Sequence, residues 1–507
     1  MNGCKKAMKC IVKNKYIILS SLIFGIIFTL CSTTSPLYPF CDESHCFFTV
    51  GKAILNGQVL YKDILEQKGI LIYLLQIPAY LISHKNFIGV WMIQLVLIII
   101  SSVFIFKSVY ILTNSNKKSY IATVLLSVVI FTSAALASGQ IVEVYVLPLF
   151  VITIYFLLVE NKNKQLQERK IIIHMFIIGI IIGIVFWMKY SLCGFFIGFI
   201  ATNIIFDLKN RKFLLIIKKI ISLMIGFLII TIPCVLYFVI NDAFLDLLNY
   251  YIINNISGYG TDISLLTTLK NYITTFITEL KWNPSMMILL ILSIIYILKT
   301  KKLDKKTKIT LMVAILMHYI IIFSHGAMFP YYFFAFSPVL VFGVTGIVET
   351  LTILMKKNSI SKNFINILLV LYTILCLIIV IIFIPCPRQF LKNPTSLAQY
   401  KFAKYMNEKY ENPTSLDYGF LDGGFYTVAD IVPNVWAFSK LNWNNQKMND
   451  SQNEAIKNKQ TDFVILRSLS TDDVIIPEYL EENYRFIMKN TQYRVNDKFT
   501  YYLYEKK

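Results

Sequence analysis

Apolar runs long enough to cross a lipid bilayer recur from the start of the chain to about residue 384, and no other feature constrains the fold as strongly. Hydrophobic side chains make up 56% of the 507 residues, and charged side chains collect in the short gaps between the runs. A helix that crosses the hydrocarbon core needs about 20 mainly apolar residues, and it satisfies its backbone polar groups internally. The sequence therefore predicts an all-α polytopic membrane domain.

About eleven segments fit a membrane-spanning helix. They cover residues 16–33, 86–113, 119–137, 144–159, 171–187, 191–206, 220–240, 285–298, 309–324, 332–355 and 364–384. A further apolar stretch, 70–83, is short and is interrupted by Gln76 and Pro78. We interpret it as an interfacial or re-entrant helix.

The distribution of lysine and arginine predicts the orientation. With these spans, the gaps on the N-terminal side of the membrane hold about 25 Lys and Arg, against about 7 on the other side. Because positive residues are enriched in cytoplasmic loops, we expect a cytoplasmic N-terminus, an outer loop at 34–85 and an extracytoplasmic C-terminus in a bacterial plasma membrane. The net charge of +20 comes from these helix ends, so no nucleic-acid partner is expected.

The composition changes after residue 385, which predicts a transmembrane domain at 1–385 and a soluble extracytoplasmic α/β domain at 386–507. In the second, "SLAQYKFAKYMNEKY" has helical periodicity, "TDFVILRS" predicts a buried strand, and "YRFIMKNTQYRV" and "FTYYLYEKK" predict closing strands. The glycines of "DGGFYT" lack the spacing of a nucleotide-binding fingerprint and indicate a turn. The other long outer segment, 241–284, is either a cover for a membrane-surface site or a solvated connector.

Ionisable residues are distributed asymmetrically. The core of the spans is nearly free of charge, since Lys107 can snorkel from near the inner end of its helix and His174 and His318 are explained by helix packing. A second group falls at or just beyond the outer ends of spans: Asp42, Glu43, His45, Asp63, Glu66, Lys68, Glu143, Lys189 and His325. A transporter would be expected to place ionisable residues near the midplane, so this pattern favours a site at the outer surface.

Several of these residues also have a purely structural explanation. Asp42 can cap the following helix, Glu66 and Lys68 can form a solvated pair, and Lys189 can anchor its helix at the headgroups. However, the segments "DESHCFF" and "YKDILEQKGILIYLL" both begin amphipathic helices, which would bring carboxylates and a lysine to the same membrane face. This conjunction favours a functional site.

Carboxylates and cations together suit glycosyl transfer. A hydroxyl that attacks the anomeric carbon of a sugar needs a general base, and a departing phosphate needs positive charge. Asp42 would be the base, and Lys68 or Lys189 would contact the phosphate. A polyprenyl-phosphate sugar would lie with its tail in lipid and its head at this surface.

The motifs resemble a known family. The acidic pair after the first span, followed by "GKAILNGQVLYKDILEQKGILIYLL", resembles the first outer loop of membrane glycosyltransferases with the GT-C fold. The resemblance is to the glycosyltransferase family 39 relatives, which include protein O-mannosyltransferases and aminoarabinose transferases of lipid A. Further matches are "SGQIVEVYVLP" around Glu143, "GIVFWMKYS" around Lys189, and "HGAMFPYYFFAFSP" before the tenth span.

The resemblance implies roles for individual residues. Asp42 matches the catalytic loop acid, with Glu43 beside it, and Glu66 with Lys68 matches the acid and lysine that open the second surface helix. The proline that often follows this lysine in the family is replaced by Gly69. The implied substrate-binding residues are Asp63, Glu66, Lys68, Glu143, Lys189, His325, Tyr331 and Tyr332. Some related enzymes use a divalent metal, magnesium or manganese, for which Asp42 and His45 would be ligands but would be too few for a complete site.

We therefore expect an inverting glycosyltransferase that moves a sugar from a polyprenyl-phosphate donor in the lipid bilayer to a cell-envelope glycan, lipid or protein. Two alternatives remain open. A lipid or polysaccharide transporter would move its substrate without forming a glycosidic bond. A non-catalytic scaffold would bind cell-wall polymers through the C-terminal domain.

Overall fold

The structure, a computed structural model, divides into two compact units. It describes residues 2–38, 46–163, 165, 167–257, 265–324, 328–355, 362–384, 393–443, 445–469, 474, 476–494 and 497–507. Unit 1 consists of Met1–Ser32, Gln94–Ile230 and Ser264–Pro385, and unit 2 of Thr33–Ile93, Thr231–Ile263 and Cys386–Lys507. Residues 386–507 thus share a unit with two earlier segments, which the predicted division at residue 385 did not include.

Helices dominate the described residues. In chain order they are α1 (Asn2–Cys31), α2 (Cys46–Leu55), α3 (Ile70–Leu74), α4 (Gln76–Ile82), α5 (Ile88–Thr113), α6 (Asn116–Phe131), α7 (Val142–Lys162), α8 (Glu168–Lys189), α9 (Gly194–Lys209), α10 (Phe213–Ile240), α11 (Phe244–Asp246), α12 (Asn254–Ser257), α13 (Leu265–Trp282), α14 (Pro284–Lys299), α15 (Lys305–Ile322), α16 (Leu340–Met355), α17 (Lys362–Ile382), α18 (Ala398–Lys409), α19 (Phe425–Val428), α20 (Gln446–Lys457) and α21 (Leu480–Asn483). Short 3-10 and π-helical segments lie between them. The 3-10 helices are Ala134–Gly139, Tyr190–Cys193, Pro330–Val339 and Pro394–Ser396, and the π-helix is Leu247–Ile253. All eleven predicted spans are helical over most of their length.

The protein is a polytopic all-α membrane protein. By length and apolar composition, six helical segments of the described chain can cross a membrane, or up to seven if a bent pair counts as one span. The six are Asn14–Cys31, Ile88–Thr113, Val142–Lys162, Glu168–Lys209, Phe213–Ile240 and Pro330–Leu354. Glu168–Lys209 combines two of the predicted spans, and the remaining predicted spans lie on helices that do not pass this test singly. The number eleven therefore stays a prediction.

Glycines allow two helices of unit 1 to approach closely. A Cβ atom added at Gly179 of α8 would lie 2.2 Å from the carbonyl oxygen of Leu223, and one at Gly226 of α10 would lie 2.2 Å from that of Phe176. Neither distance leaves room for a side chain. In lipid there is no hydrophobic force between helices, so close packing at small residues is a main source of their association.

The described part of the segment 241–284 is mostly helical. Leu247–Ile253 forms a π-helical turn, and α13 follows it in the described part of the chain. The helices Thr267–Trp282 and Pro284–Lys299 meet at a bend of 117°. Pro284 occupies the first turn of α14, where its missing N–H removes no helical hydrogen bond. Both interpretations of the segment, as a cover for a membrane-surface site and as a solvated connector, stay predictions.

Unit 2 contains a four-stranded sheet in the order β1-β2-β4-β3. The strands are β1 (Ser415–Asp417), β2 (Phe463–Leu469), β3 (Tyr484–Arg494) and β4 (Asp497–Lys506). β1 pairs with β2 in parallel, whereas β2 with β4 and β3 with β4 pair antiparallel. The first four residues of β2 are all buried because the strand lies inside the sheet, as its unbroken apolar run predicts. The predicted helix "SLAQYKFAKYMNEKY" is confirmed by α18, and the three predicted strands are confirmed by β2, β3 and β4.

Candidate active site

A buried ion pair joins the start of one helix of unit 1 to the end of another. Glu143 lies in the first turn of α7, and Lys189 is the last residue of α8. Lys189 Nζ lies 2.5 Å from Glu143 Oε1, and the two side chains are only 12% and 1% exposed. A carboxylate at a helix start and a cation at a helix end each complement the helix dipole. Lys189 is therefore held by a buried carboxylate rather than extended to the lipid headgroups.

Two tyrosine rings complete this cluster. Lys189 Nζ lies 4.4 Å from the ring centroid of Tyr332 and 5.4 Å from that of Tyr331. Aromatic faces attract cations at such distances. An ammonium has three donor hydrogens, so the bond to Glu143 leaves donors for an anionic ligand. The structure thus brings together four of the predicted substrate-binding residues, which we call the Lys189 cluster: Glu143, Lys189, Tyr331 and Tyr332.

Two buried polar atoms at the start of α7 have no hydrogen-bond partner among the described residues. They are Glu143 Oε2 and Gln140 Nε2, on side chains that belong to residues 2% and 7% exposed. A buried polar group without a partner costs about 1–3 kcal/mol. Glu143 Oε2 can accept a hydrogen bond and Gln140 Nε2 can donate one. A sugar hydroxyl both donates and accepts, so it suits both atoms. Sequence reasoning missed Gln140 because it considered ionisable groups first.

Asn283 fixes the backbone that carries the two tyrosines. Its Nδ2 donates to the carbonyl oxygen of Pro330 at 3.0 Å and to Glu279 Oε2 at 2.8 Å, and its Oδ1 accepts from the Ala135 amide at 2.8 Å. Pro330 directly precedes Tyr331 in the chain. Both Asn283 and Glu279 are buried, at 1% and 0% exposure. Neither was predicted, although the Asn-Pro dipeptide at 283–284 is a turn signal.

In unit 2, Glu66 is a buried carboxylate that holds a turn. Its Oε2 accepts from the backbone amides of Gln67 at 2.9 Å and Lys68 at 3.3 Å, and from the hydroxyl of Tyr73. Glu66 is 3% exposed, whereas Lys68 is partly exposed. The interpretation of the two as a solvated pair is therefore wrong for Glu66. Its contacts position the backbone of Lys68.

Asp63 occupies an exposed turn in the same segment. Its Oδ2 accepts from the backbone amide of Val59 at 2.8 Å, a local bond four residues back in the chain. The hydroxyl of Tyr61 donates to the carbonyl oxygen of Lys68. The structure therefore gives Asp63 a capping contact and leaves its predicted substrate role as a proposal.

A buried lysine connects α2 to the C-terminal part of unit 2. The side chain of Lys52 is 0% exposed, and its Nζ donates to the carbonyl oxygen of Tyr426 at 2.7 Å. Nζ also lies 3.5 Å from Asp430 Oδ1, which accepts from the Tyr80 hydroxyl at 3.0 Å. Burial lowers the pKa of Lys52 to about 8, although the charges of Asp430 and Asp422 oppose this shift.

Two buried aspartates lie beside this lysine. Thr49 Oγ1 donates to Asp422 Oδ2 at 2.5 Å, and the Gly424 amide donates to Asp422 Oδ1 at 2.8 Å. The Gly423 amide donates to Asp417 Oδ2 at 2.8 Å. Burial raises the pKa of Asp422 to about 6 and also raises the pKa of Asp417, to which the charge of Asp422 adds.

Four of these residues form what we call the Lys52 network: Thr49, Lys52, Asp422 and Asp430. Sequence reasoning missed it because the partners are more than 370 residues apart in the chain. The network ties α2 to residues 422–430 within unit 2.

The predicted catalytic residues lie outside the described part of the chain. These are Asp42 and Glu43, together with His45 and His325, and their roles remain predictions. Within the described ranges, no group of three or more His, Cys, Asp or Glu side chains is placed to hold a metal ion. The two predicted metal ligands, Asp42 and His45, are not covered by that statement.

Comparison with known proteins identifies the fold. No protein-family model and no curated protein sequence matches the chain. The solved structure of ArnT from Cupriavidus metallidurans bound to undecaprenyl phosphate matches 96% of this chain and 97% of its own, with a TM-score of 0.55 and 11% identity. The archaeal oligosaccharyltransferase AglB from Archaeoglobus fulgidus, in complex with an inhibitory peptide and a dolichol-phosphate, matches 89% of this chain and 69% of its own, with a TM-score of 0.50 and 11% identity. The chain therefore has the GT-C fold that its sequence motifs resemble.

Proposed function

We propose that the chain is an inverting glycosyltransferase that moves a sugar from a polyprenyl-phosphate donor to a cell-envelope acceptor at the outer face of a bacterial plasma membrane. The observation that carries the proposal is the fold shared with ArnT, bound to undecaprenyl phosphate, over nearly the whole of both chains. AglB, a second protein of similar fold, is bound to a dolichol-phosphate. Because one fold can host many functions, the proposal also depends on the site residues.

The reaction forms one bond and breaks one. The acceptor hydroxyl oxygen attacks the anomeric carbon from the face opposite the phosphate, and the bond from that carbon to the phosphate oxygen breaks, so the configuration inverts. The hydroxyl proton passes to Asp42, with Glu43 as the neighbouring carboxylate, and polyprenyl phosphate leaves. A positioned general base contributes roughly 10²–10⁴-fold to such a step.

Lys189 supplies the positive charge that the departing phosphate needs. Its burial in the Lys189 cluster excludes most water, which strengthens its attraction for an oxyanion. Glu143 holds the ammonium in place, and the rings of Tyr331 and Tyr332 stabilise it without using its donor hydrogens. Lys68 is the second proposed phosphate contact.

The sugar would be held by polar atoms at the start of α7. Glu143 Oε2 accepts and Gln140 Nε2 donates, so a hydroxyl between them would satisfy both. Asp63 and His325 are further proposed substrate contacts, and Glu66 acts through the turn that carries Lys68.

The test is transfer of radiolabelled sugar from polyprenyl-phosphate donors in membranes that carry the full chain. Three versions are compared: wild type, Asp42→Asn, and Asp450→Asn as a matched control on the exposed face of α20. We expect labelled product from wild type and the control, and at least about a hundredfold less from Asp42→Asn because the proton acceptor is lost. Equal product from Asp42→Asn would make this residue a helix cap and contradict its role as the base.

The donor contacts are tested separately. Lys68→Ala and Lys189→Ala should weaken binding of the polyprenyl-phosphate sugar, and unchanged affinity in both would remove their phosphate role. Movement of substrate across the membrane with no new glycosidic bond would support the transporter alternative. Binding of cell-wall polymers by the full chain, with tolerated changes at Asp42 and Lys68, would support the scaffold.

A further inference from the structure

Two cavities lie side by side at the end of unit 1 where α1 begins. The first, of about 350 Å³, is lined from α1, α5, α6 and α7, and the second, of about 370 Å³, from α1, α6 and α17. Tyr16 lines both cavities. Tyr155, which also lines the first, lies 12 residues beyond Glu143 on α7, about 18 Å along the helix axis. The cavities are therefore separate from the Lys189 cluster.

The first cavity has a polar and cationic lining. Asn14, Lys107 and Asn116 contribute to it, together with the rings of Tyr16 and Tyr155. Lys107 Nζ lies 5.1 Å from the ring centroid of Phe104 and 6.0 Å from that of Tyr155, and Tyr155 lines the cavity. Among the described residues, no carboxylate lines this cavity or lies within salt-bridge distance of Lys107.

The second cavity also has an ammonium group in its lining, next to Tyr16. Lys15 lines the second cavity, and its Nζ lies 5.2 Å from the ring centroid of Tyr16. The first 15 residues of the sequence contain five lysines and no Asp or Glu. A basic cluster next to a spanning helix, and basic pockets between helices, are the pattern that recognises anionic lipid headgroups.

Apart from Tyr120, Asn366 and Thr373, the rest of the second cavity is lined by apolar side chains, which form a groove at the surface of the bundle. Leu19 and Ile23 form its α1 side, and Leu369, Val370 and Ile374 form its α17 side. Leu19 is 46% and Val370 59% exposed, so the groove is accessible from the bilayer. A snorkelling lysine requires neither a cavity nor an adjoining groove, so snorkelling alone does not explain this arrangement.

We propose that this end of the bundle binds one anionic phospholipid, with its phosphate between Lys15 and Lys107 and one acyl chain in the groove between α1 and α17. The headgroup phosphate pairs with these two ammonium groups, neither of which has a carboxylate within salt-bridge distance among the described residues. The acyl chain covers apolar side chains of both helices and so links α1 to α17. The site is independent of the proposed transfer reaction.

The test measures lipid retention by the full chain, purified in a zwitterionic environment and titrated with phosphatidylglycerol or phosphatidylcholine. Native mass spectrometry counts the bound lipid, and thermal unfolding reports the stabilisation. We expect one retained phosphatidylglycerol and a preference over phosphatidylcholine. The double variant Lys15→Gln/Lys107→Gln should lower phosphatidylglycerol affinity about thirtyfold, since each lysine near a membrane surface contributes about fivefold.

Three further comparisons separate the parts of the proposal. Lys218→Gln is the matched control, because Lys218 is an exposed lysine of α10 that already pairs with Glu168, and it should leave affinity unchanged. Leu369→Trp should block the groove and weaken lipid binding while leaving binding of glycerol phosphate unaffected.

Equal wild-type binding of phosphatidylglycerol and phosphatidylcholine would overturn the proposal even if the double variant failed to fold. Stabilisation by glycerol phosphate equal to that by phosphatidylglycerol would show a site for a soluble anion instead.

Discussion

Replacing Asp430 by asparagine should make local opening of α2 more favourable at neutral pH and leave it unchanged at alkaline pH. The substitution removes the countercharge 3.5 Å from the buried ammonium of Lys52. Removing one partner of a buried ion pair commonly costs about 3–5 kcal/mol because a buried charge is left uncompensated. Here the upper limit of this free-energy cost is lower, since Lys52 can lose its proton and so remove the uncompensated charge.

The upper limit follows from the pKa of Lys52, which burial lowers to about 8. Neutralising the amine inside folded unit 2 at pH 7 costs about 1.4 kcal/mol, because the pKa lies about one unit above that pH. Once the amine is neutral, losing the charge of Asp430 has no further effect through Lys52. For a lysine with the ordinary pKa of 10.5, the upper limit would be about 5 kcal/mol.

The other contacts of Asp430 change little. An asparagine keeps an acceptor for the Tyr80 hydroxyl, and the pair with His84 involves a ring that is 52% exposed, so its contribution is small. The charges of Asp422 and Lys85 act on Lys52 in both versions. The pH dependence of the difference therefore reports on Lys52.

Hydrogen exchange of the α2 amides measures this opening directly. The largest factor by which Asp430→Asn can reduce protection equals 1 + 10^(pKa − pH), where the pKa is that of Lys52 in the folded unit. This factor is about 11 at pH 7 and about 1.1 at pH 9. In the wild type, the open state binds more protons than the folded state between pH 8 and 10.5, so protection rises with pH through that window. Asp450→Asn serves as the exposed control and should have no effect on α2.

A Lys52→Met background should abolish the difference between pH 7 and pH 9, because no titrating amine remains. Loss of protection far above tenfold at pH 7, or a loss of equal size at pH 9, would refute the reasoning. Either result would mean that Asp430 stabilises α2 by a route other than the charge of Lys52.

Two further changes test the packing of each unit. Burial raises the pKa of Asp422 from 3.8 to about 6, so the wild-type unit 2 should lose stability as the pH rises from about 4 to 6. Asp422→Asn should reduce this loss by at most about 3 kcal/mol. Thermal unfolding across that pH range measures the difference. Unchanged pH dependence would show that Asp422 is ionised in the folded unit throughout this range. Gly179→Leu should lower the thermal unfolding midpoint of unit 1 by the equivalent of about 1–3 kcal/mol or more, because its Cβ would overlap the backbone of Leu223. An unchanged midpoint would show that α8 and α10 can move apart at little cost.

The helices were predictable where one local property decides the structure. A run of apolar residues of membrane-spanning length leaves the backbone few alternatives to a helix, so all eleven predicted segments are helical. The same reasoning missed α13, because "LLTTLKNYITTFITELKW" mixes threonine, lysine and glutamate into a helical period and lacks a long apolar run. Strand β2 was predictable because four apolar residues in a row suit a strand inside a sheet.

The site was predictable only one residue at a time. Glu143 and Lys189 each stand out as a charge at a span end, but they are 46 residues apart, and only the packing of α7 beside α8 brings them together. The Lys52 network gave no sequence signal, since Lys52 is one of many lysines and its partners lie near the other end of the chain. Buried pairs of this kind depend on tertiary contacts that no local pattern encodes.

The Lys52 network joins α2 to the C-terminal region, and the two belong to one unit despite their separation in sequence. A buried ion pair is weak evidence for stability, and in some proteins such pairs determine how two surfaces meet. Thr49 and Lys52 lie three residues apart on one face of α2, so they reach Asp422 and Asp430 together in only one register of that helix. The register of α2 in unit 2 therefore depends on side chains and backbone more than 370 positions later in the chain.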